Sequence, residues 1–324
     1  MIYALSVSGP TASGKTAVSI ELAERIGAEI ICCDSMQIYE KMDIGTAKAT
    51  SAERARVPHH LLDFLPPGDP FSAEEYRNRA IPVAEDIQSR GKMPMFVGGT
   101  GLYIDTLMRA RTDSVPESRR EYRDKILESV RDEDAATVLW ERLYAVDPES
   151  AETIHKNNVR RVIRALEIYD ATGKPKSYFD KLSRTLSADM RIGMITLDFH
   201  NRDNLYSRVD LRVDSMMEEG LLAEVTRLYS AGYLGENTTA RQAIGYKEII
   251  DHIEGRCTLV EAVEQIKLST RRYAKRQLTW FRHEENAYRL YIDGEDGKMR
   301  AACDIIDEAE SAARKIKEGF KNEA

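Results

Sequence analysis

The sequence predicts an α/β protein with a parallel-sheet core and an inserted all-helical domain. Apolar runs at Ile2–Val7, Glu29–Cys33 and Met93–Val97 alternate with segments of helical periodicity over the first hundred residues. This alternation is typical of βαβ units, in which a helix connects two parallel strands. The first predicted helix has apolar residues at four-residue spacing and a glycine that ends it: Val18, Leu22, Ile26 and Gly27.

The middle of the chain differs in pattern from both ends. Residues 114–189 are highly charged, helical in periodicity and poor in strand-forming runs, whereas Ile192–Phe199 is again apolar and strand-like. We therefore expect two domains: a core made of residues 1–110 and 191–324, and a helical insertion made of residues 111–190.

A glycine-rich segment between the first strand and the first helix matches the phosphate-binding pattern G-x-x-x-x-G-K-[ST]. It comprises Gly9, Pro10, Thr11, Ala12, Ser13, Gly14, Lys15 and Thr16. In such a loop, backbone N–H groups surround phosphate oxygens, the lysine reaches the outer phosphate, and the final hydroxyl binds Mg²⁺. We therefore expect a P-loop NTPase-like core that binds a di- or triphosphate such as ATP. The alternative is a chance glycine-rich turn.

The composition is that of an ordinary soluble globular protein. Of 324 residues, 42% are hydrophobic and 31% are charged, and the net charge is −7. The apolar runs are shorter than the roughly 20 residues that cross a bilayer, and the first one leads into the P-loop instead of a signal-peptide cleavage site. The four cysteines lack metal-binding spacing. We expect a cytoplasmic protein without structural zinc or membrane association. Its net charge argues against a nonspecific nucleic-acid coat but allows a local basic groove.

Polar residues follow the second and third apolar runs. Asp34 comes directly after Cys33, and Thr100 follows Val97 through two glycines. Ligands bind at the carboxyl ends of the strands in open parallel sheets. We therefore expect both side chains near the P-loop, with Thr100 orienting Asp34 by a hydrogen bond and Asp34 acting as a general base or an outer Mg²⁺ ligand. The alternatives are a helix N-cap at Asp34 and a plain turn at Thr100.

An arginine interrupts an apolar helix face in the C-terminal part of the chain. In the helix predicted over residues 204–229, Arg212 shares a face with Leu205, Val209 and Met216. An unpaired charge on a buried face is costly, so this guanidinium needs an anionic partner. The partner is either a structural carboxylate or the phosphates of the ligand. We favour the ligand, because a phosphate site is already expected.

Two helical segments carry clusters of basic residues. Segment 271–282 contains five cations and no acidic residue: Arg271, Arg272, Lys275, Arg276 and Arg282. A second cluster lies on the helix predicted over residues 158–169: Arg160, Arg161 and Arg164. A charged helix face is usually only solvated. The absence of acidic i,i+4 partners in the first cluster, however, suits the phosphates of a folded RNA.

These residues belong to a longer series of motifs, which resembles the tRNA dimethylallyltransferases, also called isopentenyl-tRNA transferases. The shared motifs run in order along nearly the whole chain: Gly9–Thr16, Asp34–Tyr39, Met42–Lys48, Pro58–Asp63, Phe71–Arg77, Val97–Tyr103, Arg161–Glu167, Gln242–Glu248 and Lys275–Arg282. Together they are far more specific than the P-loop, which many unrelated enzymes contain.

The resemblance implies an alkyl transfer in which the P-loop holds a diphosphate and no phosphoryl group moves. The family transfers the dimethylallyl group of dimethylallyl diphosphate to the N6 amine of the adenosine at position 37, on the 3′ side of the tRNA anticodon. Diphosphate leaves, and N6-isopentenyladenosine forms. By resemblance, Asp34 is the base, while Lys15, Arg212 and Mg²⁺ at Thr16 stabilise the leaving diphosphate. Thr100 matches a family residue near the reacting adenine.

The resemblance also implies an interface with the anticodon stem-loop. The residues expected to touch the extruded nucleotide or the tRNA are Asp34, Ser35, Met36, Gln37, Thr100, Arg123, Arg160, Arg161, Arg164, Gln242, Lys275, Arg276 and Arg282. Some relatives carry an arginine where this chain has Gln242, so that contact stays open. We expect a monomer whose insertion and core clamp the anticodon arm.

Two other functions are compatible with a P-loop. A small-molecule kinase would bind ATP there and form its product only when ATP is supplied. A non-catalytic RNA-binding switch would bind tRNA in response to nucleotide and transfer nothing. The sequence contains no N-K-x-D-like element that reads guanine, which argues against a GTPase.

Overall fold

The computed structural model describes residues 1–109, 120–131, 134–183, 189–236 and 238–323. Their contacts divide the chain into two compact units: Met1–Leu107 with Asp189–Ala324, and Met108–Ala188. Residues 110–119 and 184–188, which include parts of the expected insertion near its two borders, lie outside the described residues.

A six-stranded parallel sheet forms the centre of the first unit and confirms the predicted fold class. The described strands are β1 Ile2–Ser8, β2 Ala28–Cys32, β3 His59–His60, β4 Met93–Gly98, β5 Met190–Asp198 and β6 Tyr288–Tyr291. Their order is β3-β2-β4-β1-β5-β6, and every pairing is parallel. The central strands are long apolar runs because helices cover both faces of such a sheet. The short edge strands β3 and β6 carry no such run, and the sequence did not predict them.

Helices make up most of the remaining described chain. They are α1 Lys15–Ile26, α2 Ser51–Arg56, α3 Ala73–Ser89, α4 Gly101–Met108, α5 Arg120–Glu128, α6 Ala135–Val146, α7 Pro148–Thr153, α8 Val159–Thr172, α9 Lys176–Ser183, α10 Arg202–Glu219, α11 Leu221–Ser230, α12 Tyr246–Ile253, α13 Leu259–Arg282 and α14 Ala302–Glu323. None of the helices in the described ranges combines the length and apolar character needed to cross a membrane.

Helix α13 contributes to two apolar clusters in the described part of the first unit. Its Ala274 and Leu278 belong to the cluster that packs on the sheet with α1 and α14. Its Ala262 and Ile266 belong to a second cluster, formed with α10, α11, α12 and the segment after β2. One long helix therefore links the sheet to the helical layer beside it.

Helices α5 to α9 make up most of the described part of the second unit, as predicted, and this unit has its own apolar cluster. Leu139 and Leu143 of α6 pack with Val162 and Leu166 of α8, all of them buried. The apolar face of α8 that the sequence predicted is therefore the packed face of this helix.

Candidate functional site

The loops that follow β1, β2 and β4 meet at one edge of the sheet. Ser8 is in register with Gly98, and Cys32 with Val97, so the three strands end at nearly the same level. A cavity of about 540 Å³ opens there. This volume falls in the range of about 300–1,000 Å³ that small-molecule sites occupy. The P-loop, the turn after β2, α10, the segment 242–245 and α13 all contribute to its wall.

Most of the predicted site residues of the first unit line this cavity. They are Thr11, Ala12, Gly14, Lys15, Thr16, Asp34, Ser35, Met36, Gln37, Arg212, Gln242 and Arg276. The predicted residues of this unit that do not line it are Gly9, Pro10, Ser13, Thr100, Lys275 and Arg282. The structure therefore brings together side chains from five separate parts of the sequence.

The P-loop has a backbone geometry that depends on its glycines. Gly9 and Gly14 have φ angles of 142° and 90°, which other residues rarely adopt. A Cβ atom on Gly9 would also lie 2.7 Å from the backbone oxygen of Leu197. Helix α1 begins at Lys15, and no side chain caps it. Its first backbone N–H groups, together with the helix dipole, therefore form a site suited to an anion.

Lys15 lines the cavity, and the pKa of its ammonium group is lower than usual. Its Nζ donates to the backbone oxygen of Pro10 at 2.7 Å. Burial lowers the pKa of Lys15 to about 7, the charge of Arg212 acts in the same direction, and Asp34 opposes both. A bound phosphate would favour the charged form. An anion bound beside Lys15 would therefore raise the pKa of this ammonium group.

Arg212 reaches the same cavity from α10. Its Nε atom is buried and has no hydrogen-bond partner among the described residues. Burial lowers the pKa of Arg212, and the carboxylates of Asp34 and Glu219 oppose that shift. No ion pair between Arg212 and a carboxylate is found in the described chain, which favours the ligand as its partner. One turn earlier, Arg208 donates to the backbone oxygen of Ala12 at 2.8 Å and braces the P-loop.

Asp34 caps the turn after β2 with one carboxylate oxygen, and no helix begins at this turn. Its Oδ1 accepts from the backbone nitrogens of Met36 at 2.9 Å and Gln37 at 3.4 Å, as in a side-chain-capped turn. Its Oδ2 makes no hydrogen bond within the described ranges, and the residue lines the cavity. One oxygen therefore holds the turn, and the other is available to a ligand.

Thr100 lies beside this turn but does not orient the Asp34 carboxylate, contrary to the prediction. Its Oγ1 accepts from the backbone nitrogen of Ser35 at 3.0 Å and lies 3.4 Å from the Ser35 hydroxyl. The sheet register explains this, because Cys32 pairs with Val97 and Thr100 is therefore level with Ser35. Thr100 fixes the backbone next to the carboxylate.

The segment 43–47 forms part of the wall, and the sequence did not assign it to the site. Glu224 of α11 is only 3% exposed, and it accepts from the three backbone nitrogens of residues 43–45 at 2.8–3.1 Å. The Nε2 atom of Gln37 in turn donates to the backbone oxygen of Thr46 at 3.0 Å. The available signal was a lone carboxylate on an otherwise apolar helix face.

Gln277 of α13 connects the P-loop to the end of β4. Its Oε1 accepts from the backbone nitrogen of Thr11 at 2.8 Å, and its Nε2 donates to the backbone oxygen of Gly99 at 2.9 Å. One turn earlier on α13, Tyr273 also lines the cavity, and burial raises the pKa of its phenol. Sequence reasoning assigned Gln277 no role at the site.

The basic cluster of α13 is not the uniformly unpaired surface that the sequence predicted. Arg282 makes two hydrogen bonds, of 2.6 and 2.8 Å, with the buried Asp198 at the end of β5. Arg271 pairs with Asp210 of α10 at 3.0 Å. Both partners come from other elements, so a search for i,i+4 partners within one helix cannot find them. For these two arginines the prediction of a free cation is wrong.

The other predicted cations differ in exposure. Lys275 and Arg276 are exposed on α13. In the second unit, Arg160 and Arg161 are exposed, Arg123 is partly buried, and Arg164 donates to the buried carboxylate of Glu167 at 2.6 Å. These exposed side chains are available to a macromolecular anion.

The cavity offers Mg²⁺ few protein ligands. Thr16 lines it at the start of α1, and the carboxylates of Asp34 and Glu53 also line it. Within the described ranges, no group of three or more histidine, cysteine or acidic side chains is placed to hold a metal ion. Mg²⁺ often keeps several waters and binds few protein oxygens together with substrate phosphates. The P-loop hydroxyl fits that mode of binding.

Sequence comparisons match this chain to the IPP transferase family and to proteins named tRNA dimethylallyltransferase. The model of the IPP transferase family matches residues 37–284. A tRNA dimethylallyltransferase from a Thermoanaerobacter species is 44% identical over 293 residues, which cover 90% of this chain and 92% of the relative. The tRNA dimethylallyltransferase of Geobacillus thermodenitrificans is 49% identical over 279 residues, covering 86% and 87% of the two chains.

Solved structures agree with these sequence matches. The full-length tRNA isopentenylpyrophosphate transferase of Bacillus halodurans is 38% identical, with a TM-score of 0.71, and the match covers 100% of this chain and 99% of that one. A eukaryotic dimethylallyltransferase, described as acting on tRNA, is 33% identical with a TM-score of 0.74 over 90% of this chain and 74% of that one.

Proposed function

The chain belongs to the IPP transferase family of prenyl-transferring enzymes, and we propose that it is a tRNA dimethylallyltransferase. The donor is dimethylallyl diphosphate, the acceptor is the N6 amine of the adenosine at position 37 of tRNA, and the products are N6-isopentenyladenosine and diphosphate. The observation that carries this proposal is that the P-loop, the open oxygen of Asp34 and the unpaired guanidinium of Arg212 line one cavity.

The diphosphate of the donor binds at the P-loop. Backbone N–H groups at the start of α1, the ammonium of Lys15 and the guanidinium of Arg212 supply the positive field. This field stabilises the charge that develops on the leaving diphosphate, and one well-placed donor of this kind contributes about 10²–10³-fold to the rate. The unpaired Nε of Arg212 receives its missing acceptor in this complex.

Asp34 acts as the general base. The amine nitrogen attacks the first carbon of the dimethylallyl group, the carbon–oxygen bond breaks, and diphosphate leaves with the bonding electrons. The amine proton passes to Oδ2 of Asp34, the oxygen that is not used by the turn. A base matters here because the purine ring delocalises the lone pair of the amine, so the amine is a weak nucleophile.

Mg²⁺ is the proposed cofactor. Thr16 would hold it through the side-chain hydroxyl, with the remaining ligands supplied by the donor and by water. When bound, the ion neutralises part of the charge of the diphosphate.

The acceptor adenosine must leave the stacked anticodon loop to reach a cavity of this kind. We expect the turn Asp34–Gln37 to contact the extruded base, and the exposed cations Lys275, Arg276, Arg160 and Arg161 to contact tRNA phosphates. We also propose that the enzyme is a cytoplasmic monomer.

A product assay tests this function. The protein is incubated with dimethylallyl diphosphate, Mg²⁺ and unmodified tRNA that carries adenosines at positions 36, 37 and 38. Digestion and mass spectrometry should then show N6-isopentenyladenosine at position 37. The reaction should proceed without ATP, whereas a kinase would form its product only with ATP. Folded protein that produces no isopentenyladenosine would contradict the proposal.

Donor binding should weaken as the pH rises above 7. In the empty site the pKa of Lys15 is about 7, and a bound diphosphate favours the ammonium form, so binding above this pH takes up a proton. The association constant should fall by a factor approaching about ten per pH unit between pH 7 and 9. Isothermal titration calorimetry in two buffers of different ionisation enthalpy measures both the affinity and the proton uptake.

The matched control is Lys15→Arg, because a guanidinium stays charged over this range. Its donor affinity should be nearly independent of pH, and its binding should take up no proton at this position. Equal affinity of the unmodified protein at pH 7 and pH 9 would exclude a neutral Lys15 in the empty site.

A further inference from the structure

Gln277 makes two hydrogen bonds that join the two halves of the reaction site. Its Oε1 accepts from Thr11 in the P-loop, and its Nε2 donates to Gly99, the residue before Thr100. The side chain is 6% exposed, so water does not readily substitute for it. The same amide group thus contacts the loop that would hold the donor and the turn next to the acceptor side.

The packing around this amide leaves little freedom. A Cβ atom on Gly99 would collide with Nε2 of Gln277, and it would lie 3.5 Å from the backbone oxygen of Gly9. The turn after β4 therefore packs directly against the Gln277 side chain and lies close to the P-loop. A glutamine suits this position because its amide presents one acceptor and one donor side by side.

We propose that Gln277 is a positioning residue, which sets the separation between the donor diphosphate and the turn that carries Thr100. This inference rests on the proposed function and extends it to a side chain that takes no part in the chemistry. Transfer requires the amine nitrogen and the first carbon of the donor to lie within about 3–3.5 Å, and a displacement of about 1 Å costs on the order of 10²-fold in rate. Loss of the two Gln277 hydrogen bonds should therefore lower kcat more than it lowers the affinity for the donor.

The first test is Gln277→Met, which keeps the length of the side chain and removes both hydrogen bonds. We expect kcat to fall by about 10²-fold, while KM for the donor changes by only a few-fold. Hydrogen exchange at the Thr11 amide, measured by NMR without substrates, should become faster. This measurement tests the hydrogen bond between Thr11 and Gln277 independently of the proposed reaction.

The second test is Gln277→Glu, whose ionised carboxylate can accept from Thr11 but cannot donate to Gly99. A neutral carboxyl group restores the donor and acceptor pattern, and burial raises the pKa of a carboxyl group into an accessible range. The activity ratio of this variant to the unmodified protein should be about 10⁻² at pH 8 and should rise as the pH falls. A merely misfolded variant would not recover in this way.

Gln265→Glu is the matched control, because Gln265 is exposed on the same helix and, among the described residues, its side chain bonds only to that of Ser269. It should show unchanged kcat and no change of activity ratio with pH. Unchanged kcat in Gln277→Met with faster exchange at Thr11 would overturn the positioning role. Unchanged exchange at Thr11 would show that the hydrogen bond from Thr11 to Gln277 does not hold the P-loop. No transfer by the unmodified protein would instead refute the proposed function.

Discussion

Asp34→Asn should lower kcat by about 10²–10⁴-fold, the usual contribution of a positioned general base. Asparagine keeps a side-chain oxygen that can accept from the backbone nitrogens of Met36 and Gln37, so the turn after β2 should survive. Its amide group cannot take the proton of the attacking amine. Single-turnover kinetics with saturating donor and tRNA would measure the loss, and calorimetry should find donor affinity within a few-fold of the original.

Asp296→Asn is the control for this substitution. Asp296 is exposed and also accepts from a backbone nitrogen two residues later, that of Lys298, at 3.0 Å. It therefore tests the same chemical change in a similar turn outside the cavity, and its activity should be unchanged. A fully active Asp34→Asn protein would remove Asp34 from the mechanism. Loss of donor binding with unchanged kcat would assign it to the donor site.

Arg212→Gln should lower kcat/KM by about 10²–10³-fold and also stabilise the empty protein. The first effect follows from the proposed role of Arg212, which is to stabilise the charge of the leaving diphosphate. The second follows because its buried Nε has no hydrogen-bond partner within the described chain, and a buried N–H group without an acceptor destabilises the fold. We expect the free energy of unfolding to rise by about 1 kcal/mol or more. Urea denaturation without ligand and steady-state kinetics measure the two effects.

The exposed Arg202 at the start of the same helix provides the control. Arg202→Gln should leave both activity and stability nearly unchanged. An Arg212→Gln protein that is less stable than the original would show that a protein group already compensates the guanidinium. Retained kcat/KM would show that its ligand is not the donor diphosphate.

The P-loop was predictable because its function depends on backbone geometry encoded locally. The glycines at positions 9 and 14 supply the positive φ angles, and the strand and helix on either side are visible as apolar patterns. The convergence of Asp34 on this loop was also predictable, since parallel strands deliver their carboxyl ends to one edge of the sheet.

The pairing of cations was not predictable from local spacing. Arg282 and Arg271 looked like members of a free basic face, yet Asp198 and Asp210 neutralise them from β5 and α10. Both partners are more than 60 residues away in the sequence. The prediction failed because ion pairing depends on which elements pack together, and helix periodicity carries no information about that.

The sequence by itself determined the parallel-sheet class, the position of the P-loop and the family, because local patterns or ordered motifs encode each of these. Only the tertiary structure decided that Thr100 holds Ser35 instead of Asp34, that Glu224 supports the segment 43–47, and that Gln277 joins the P-loop to the turn after β4. The physical reason is that a hydrogen bond of about 3 Å between distant segments depends on strand register and helix packing. A small change in strand register or helix packing would give such a hydrogen bond a different partner without altering any sequence motif.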